Sequence, residues 1–352
     1  MLTQLTRMLT VAGKPGTVLG AQLEALRAGG PRTALRQARA GDPRDALAGA
    51  FYDRVWREAA AELGADIVEL GGEYLELRLQ GHSTRVWRQL VQLDDSVSLQ
   101  LAADKPLAHR LLAEAGLPVP EHVEFDVRDV EAPLEFLRAG GPCVVKPARG
   151  TAVGAGVTGG VTNTSSFLRA RLLAARWDSQ LLIERQLDGD VHRLLILDGE
   201  LIDTVRRLRP TVVGDGRSSV RKLIDLENTR RREALGAEGL SLLRIDLDTA
   251  MALRAQGLTL GSVPADGERV TVKTVANQNR LEDNEQVAVP AEIADKAIRA
   301  AEVVGLRLAG VDMLGGTVLE VNGTPGFNQH YHVAQPSSSS RVAVPVLRTL
   351  LS

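Results

Sequence analysis

The stretch Gly310-Val-Asp-Met-Leu-Gly-Gly-Thr-Val-Leu-Glu-Val-Asn-Gly-Thr-Pro-Gly326 decides how this chain is read. A short Gly-Gly-containing turn separates one carboxylate, Asp312, from a second, Glu320, and from the amide Asn322. Residues i and i+2 of a strand share a face, so Glu320 and Asn322 project together. Two carboxylates and an amide oxygen in a small space suit Mg²⁺, which commonly binds a few protein oxygens and the phosphates of its substrate. Asp312 joins that set only in even register across the hairpin. Even register favours a three-residue loop, Gly315-Gly316-Thr317, with a glycine in the left-handed conformation. A two-residue turn would set Asp312 opposite Leu319 and split the ligands between faces.

Working outward, Val144-Val-Lys-Pro-Ala-Arg-Gly-Thr-Ala-Val-Gly-Ala-Gly-Val-Thr-Gly-Gly160 delivers Lys146 on a strand and then a glycine run. Gly150, Gly154, Gly156, Gly159 and Gly160 leave little steric bulk, so backbone N–H groups can approach phosphate oxygens closely. The run matches neither the P-loop nor the dinucleotide-binding pattern, and a flexible hairpin with glycine turns is the competing reading. Leu181-Leu-Ile-Glu-Arg-Gln-Leu-Asp-Gly189 follows: a strand ending at Glu184 that can accept from a purine amino edge. An exposed glutamate at a strand end is the plainer alternative. Arginine carries most of the basic charge. Only six lysines occur, and Lys105 and Lys146 are two of them.

At 352 residues the chain exceeds one usual core, so two or three subdomains are expected. A net charge of −2 gives no support for a nucleic-acid or membrane-surface protein. The single cysteine, Cys143, rules out an internal disulfide and a cysteine zinc site, and its apolar run predicts a buried strand position. No run of 18 apolar residues and no apolar leader is evident, which makes the cytoplasm the expected setting. Lys105–Ala115 reads as a helix capped by Gly116 and stopped by Pro118. Asp198-Gly199 reads as a hairpin turn between His192–Leu197 and Glu200–Arg207. Arg230-Arg-Arg232 reads as a solvated helix face. His330 and His332, spaced i, i+2, lack the partners a zinc site needs.

The order of these segments resembles an ATP-grasp carboxylate–amine ligase. Ala103-Asp-Lys105, Glu114-Ala-Gly-Leu-Pro-Val-Pro120, Val145-Lys-Pro147, the glycine loop and Ile183-Glu-Arg185 carry the likeness. Gly214-Asp-Gly216, Leu223-Ile-Asp-Leu-Glu-Asn228, Val275-Ala-Asn277 and Leu319-Glu-Val-Asn322 continue it. The pattern is most similar to the ATP-grasp portion of cyanophycin synthetase and covers about residues 55–335.

The resemblance implies an α+β / α/β chain with the ATP-grasp fold. Residues 1–50 would be an N-terminal helical or irregular extension and 51–104 a pre-ATP-grasp α/β domain. Residues 105–190 would form the lid subdomain, and 191–352 a C-terminal α+β subdomain with the metal site. It implies ATP and Mg²⁺. Lys105 and Lys146 would hold phosphates, with Gly154 and Gly156 in the covering loop. Glu184 and the backbone of Gln186 and Leu187 would hold the purine. Asp312, Glu320 and Asn322 would bind metal, and Arg193 and Lys273 would neutralise the transferring phosphoryl group. The family's usual acidic ribose contact falls on Val191, so Asp190 is its substitute. Thr229-Arg-Arg-Arg232 and Lys273 also depart from the family pattern. The implied substrates are an amino-acid or peptide carboxylate and an amine, and analogy suggests a homodimer. A stand-alone ligase without the second, P-loop domain of cyanophycin synthetase is expected. A small-molecule kinase on the same fold and a non-catalytic nucleotide-binding regulator are the rivals.

Overall fold

Local chemistry sets the element boundaries. A computed structural model describes residues 43–149, 154–233, 242–276, 278–280, 283–333 and 341–352. The expected extension over most of 1–50, Gly150, Asn277 and the loop expected at Pro336–Ser340 lie outside the described residues. The helix Lys105–Glu114 starts at Asp104, whose carboxylate accepts from the Leu107 N–H. It ends just before Gly116 at φ 77°. The helix Thr164–Ala174 opens with a reciprocal capping box between Asn163 and Ser166.

Among the described residues the strands form four antiparallel sheets. The first is a meander of β1 (Asp66–Gly71), β2 (Tyr74–Leu79), β3 (His82–Trp87) and β4 (Leu90–Val91). The second contains β5 (His122–Asp126), β6 (Cys143–Pro147), β7 (Thr158–Val161) and β8 (Gln180–Arg185), in the order β5-β8-β6-β7. Next along the chain come β9 (Val191–Leu197), β10 (Glu200–Arg207), β11 (Thr211–Val213), β12 (Arg269–Thr271), β13 (Asn284–Gln286), β14 (Leu308–Leu314) and β15 (Thr317–Asn322). Strands β11 and β12 pair with each other, and the third sheet runs β13-β10-β9-β14-β15.

Two sheets divide their residues by face so as to leave a cleft. In the second, Cys143, Val145, Leu181 and Ile183 pack on Phe125, Phe136 and Phe167. Alternation then turns Val144, Lys146 and Glu184 to the opposite side. Cys143 is buried as expected, and burial pushes its thiol pKa up. In the third sheet Leu194, Ile196, Val311, Met313, Val318 and Val321 share a core with the helix Ala291–Val304. The other face is apolar at Leu195, Leu197 and Leu308, where the helix Pro43–Leu63 and the closing helix Ala343–Leu350 cover it. Farther along, the same face turns polar at Arg193 and Asp312.

Two sequence expectations need correction. The β14–β15 hairpin closes with a two-residue turn, because Leu314 pairs directly with Thr317 around Gly315-Gly316. Gly315 takes the positive φ, 57°. The ladder then slips: Met313 pairs with Val318, but Asp312 pairs with Glu320, so Leu319 is an extra, bulged residue. The bulge restores the even register that loop length was expected to supply. The second correction concerns Arg230-Arg-Arg232 on the helix Val220–Glu233. Its middle member is buried, with Nε donating to Glu227 at 2.7 Å and a guanidinium N–H to the Gln278 carbonyl. Only its neighbours suit the solvated-face reading.

Candidate active site

The hairpin turn Asp198-Gly199 has φ of 49° and 79°, the signature of a type I′ turn, and lays β10 back on β9. A bulge at Ile202 sets Val205, rather than Thr204, opposite Arg193. On its other side β9 pairs Arg193 with Asp312, which pairs in turn with Glu320. Three strands therefore carry Arg193, Asp312 and Glu320 in one row. Arg207, two residues beyond Val205, joins the same face.

Asp312 is saturated. Arg193 donates through Nε at 2.5 Å and a terminal nitrogen at 2.7 Å to its two oxygens. One terminal nitrogen of Arg207 lies 3.4 and 3.3 Å from the same two atoms. Burial alone would raise the Asp312 pKa, but the two guanidiniums outweigh it and hold it below the ordinary carboxylate value. Burial and Arg193 push Arg207 down to about 10, still far above neutrality, so it stays charged. Asp312 raises Arg193 against the opposing effect of burial.

Glu320 is held differently. Its nearest cation, Lys105 Nζ, lies 3.5 Å away, and its side chain keeps 32 % exposure. Asn322 spends its Nδ2 on the Gly310 carbonyl at 3.0 Å and has its oxygen left over. Lys105, Arg193 and Arg207 give three positive charges against two carboxylates, an excess that favours phosphate oxygens. This hard-oxygen donor set fits magnesium, which needs few protein ligands because it retains water and phosphate. A cation entering at Asp312 would have to displace the longer contacts from Arg207. Among the described residues no cluster of three His, Cys, Asp or Glu side chains is arranged for another metal.

Facing this row across a cleft of about 1080 Å³ stands the second sheet. Lys146 Nζ lies 2.7 Å from Glu184 Oε2, and both side chains are about 8 % exposed. The cleft is lined by Lys105, Lys146, Gly154, Glu184, Gln186, Leu187, Asp190, Arg193, Arg207, Asp312, Glu320 and Asn322, among others. The Gln186 backbone N–H is already donated to the Pro142 carbonyl, and its side-chain oxygen accepts from Gly160 N. Asp190 lies 3.4 Å from Arg206 at the cleft rim.

Two expected residues, Gly156 and Lys273, fall elsewhere, and so do the two histidines. Gly156 packs close to Trp177 and Pro147, where an added methyl group would collide. Lys273 is buried and paired with Asp246 at 2.7 Å, outside the cleft lining, whereas Thr274, Val275 and Ala276 do line it. Neither His330 nor His332 lines the cleft; His330 Nδ1 sits 2.6 Å from Asp203.

Arg207 and Asp248 went unnoticed in the sequence. Asp248 is buried and accepts from the N–H of Gly159 at 3.2 Å and of Thr274 at 3.1 Å, tying the glycine segment to the cleft wall. Its position two residues after the capping Asp246 was the only available signal.

No family model matches the chain. It is similar to the cyanophycin synthetase of Crocosphaera subtropica, 28 % identical over 291 residues, covering 76 % of this chain and 32 % of that protein. The cyanophycin synthetase of a Synechocystis species is 30 % identical over 293 residues, with 76 % and 32 % covered. The chain thus spans about a third of the length of the curated relatives it matches. Among solved structures, a bifunctional glutathione synthetase from Pasteurella multocida superposes with a TM-score of 0.51 at 23 % identity. That match covers 84 % of this chain and 44 % of the other and speaks for the fold. With its antiparallel sheets facing one another across a cleft, the chain has the ATP-grasp fold and is similar in sequence to part of the cyanophycin synthetases.

Proposed function

We propose that the chain is an ATP- and magnesium-dependent carboxylate–amine ligase that forms an amide bond on amino-acid or peptide substrates. One observation carries the reading: a buried Lys146–Glu184 pair faces Asp312, Glu320 and the three cations Lys105, Arg193 and Arg207 across a single cleft. In this reading residues 105–190 act as the lid and 191–352 as the base, with 51–104 packed before them. Glu184, the Leu187 backbone and the Gln186 carbonyl take the purine, and Asp190 the ribose. Lys105 and Lys146 take phosphate oxygens beneath the segment holding Gly154. Lys273, paired with Asp246, is left out of the reacting set. The enzyme is assigned to the cytoplasm, as a homodimer.

Magnesium held by Glu320 and Asn322, with Asp312, would neutralise phosphate oxygens. The substrate carboxylate oxygen bonds to the γ-phosphorus as the bond to the bridging oxygen of ADP breaks. The amine nitrogen then attacks the acyl carbon, phosphate leaves with the C–O electron pair, and the nitrogen loses a proton. Phosphoryl transfer is mainly positioning and charge stabilisation, which Lys105, Arg193 and Arg207 provide. A closed lid shields the acyl-phosphate from water.

The test is an ADP-release screen over pairs of amino acids and small acids, with mass spectrometry of the products. ADP and a condensed product should both require the amine. A stable phosphorylated product formed without amine would replace this reading with a kinase. Absence of nucleotide turnover, with cellular function surviving Glu320→Ala, would replace it with a regulator.

A further inference from the structure

Strand β15 lies at the edge of its sheet, and the bulge there leaves Leu319 outside the regular ladder. Such a defect needs an external partner, because an unpaired buried carbonyl is costly. Uninterrupted pairing from the two-residue turn would set Asp312 opposite Leu319 and Glu320 opposite Val311, on the core face. The site therefore depends on what holds the slipped register.

The structure supplies a grip from outside the sheet. His109, 1 % exposed, places Nε2 at 3.0 Å from the Leu319 carbonyl oxygen. Val318 N donates to the Pro118 carbonyl at 2.8 Å, just past the end of the same helix. One turn before His109, Lys105 reaches Glu320. A single helical face, spaced i and i+4, thus touches two successive residues of the bulged strand. We propose that His109 is a positioning residue for Glu320, its Nε2–H fixing the Leu319 carbonyl and so the bulge that keeps Glu320 on the face of Asp312.

The chemistry of the ring agrees. A carbonyl only accepts, so Nε2 carries the proton and Nδ1 is bare. Nδ1 is buried and has no hydrogen-bond partner, and the ring meets His122 edge-on at 5.0 Å. Burial first, and then the charge of Lys146, keep the imidazole neutral by pushing it down to about 3. One ring nitrogen is left unsatisfied while the other is kept on the bulge, which sets this histidine apart from simple filler.

The inference rests on the proposed metal role of Glu320, so its test separates the two. His109→Leu keeps bulk but loses the donor; His109→Gln can place an amide N–H near the position of Nε2. Hydrogen exchange of residues 315–322 is measured in the free protein, and Mn²⁺ binding to the protein–ADP complex by electron paramagnetic resonance. His109→Leu should speed exchange in that segment and weaken Mn²⁺ binding about tenfold, the usual scale for a lost outer-shell partner. ADP affinity without metal should stay unchanged, and His109→Gln should recover both properties. Unaltered exchange in His109→Leu, or a glutamine variant no better than leucine, overturns the positioning role. If the wild type binds no Mn²⁺ with ADP, the proposed function falls together with the metal part of this inference. The exchange arm would then still decide whether His109 clamps the bulge.

Discussion

Asp312 and Glu320 stand opposite one another on adjacent strands, yet their surroundings give their loss different consequences. Removing Asp312 takes from two buried guanidiniums the carboxylate that they share. Breaking a buried ion pair from one side costs about 3–5 kcal/mol, so Asp312→Ala should show that loss in urea unfolding. Glu320 is a third exposed and 3.5 Å from Lys105. Lys105 is buried, but the contact is long and Glu320 is partly solvated, so Glu320→Ala should destabilise less than Asp312→Ala does. Both variants should lose magnesium-dependent ADP formation. Full turnover in Glu320→Ala would contradict the metal assignment; equal destabilisation by both would contradict the electrostatic account. At this scale much was readable in advance. Glu320 and Asn322 are two apart on one strand, and Lys146 and Glu184 belong to neighbouring strand patterns. Arg207 was not readable, because its place beside Asp312 depends on the bulge at Ile202. An irregular pairing leaves no periodic mark in a sequence.

Among the elements, β14 shows how tightly the site is fitted. Gly310 lies on the cleft face two residues before Asp312. A methyl group there would stand 2.9 Å from Pro325 Cβ and 3.1 Å from Arg193 Cδ. The proline ring cannot rotate away, so Gly310→Ala must push Arg193 or the strand. Overpacking of this kind costs about 1–3 kcal/mol, to be read from the urea midpoint. ADP formation should fall more steeply than stability, since Arg193 would leave its two-pronged contact with Asp312. Wild-type turnover in a fully folded Gly310→Ala would show that this contact can be spared. Capped helices and the Asp198-Gly199 turn were legible because their determinants are local. The β14–β15 hairpin was half legible. Its glycines announced a turn, but the helix Lys105–Glu114 that grips the bulge lies some two hundred residues earlier in the chain.

Across the whole molecule, the two ends of the described chain close on the third sheet together. Phe51, Tyr52 and Trp56 from the first helix meet Phe327, and the Phe327 N–H donates to the Tyr52 hydroxyl at 3.0 Å. Contacts at this separation cannot be inferred from periodicity, which for residues 51–63 shows no more than helical spacing. His332 belongs to this joint, its ring 5.4 Å from Phe51 and its Nε2 buried without a partner. Burial, and after it the charge of Arg54, push His332 down to about 4. In the unfolded chain a histidine titrates near about 6.5. Between these values the unfolded state binds a proton that the folded state refuses, so stability rises with pH and falls as pH drops through the window. The slope for one such proton is at most about 1.4 kcal/mol per pH unit. His332→Phe keeps an aromatic ring against Phe51 and abolishes both the unpartnered nitrogen and the titration. It should be at least as stable as the wild type at pH 7.5. Its advantage should widen steadily as pH falls from 6.5 towards 4, measured by urea midpoints at each pH. Parallel stability profiles for the two proteins would mean that His332 protonates freely in the folded state, and that the two ends pack more loosely than the aromatic contacts require.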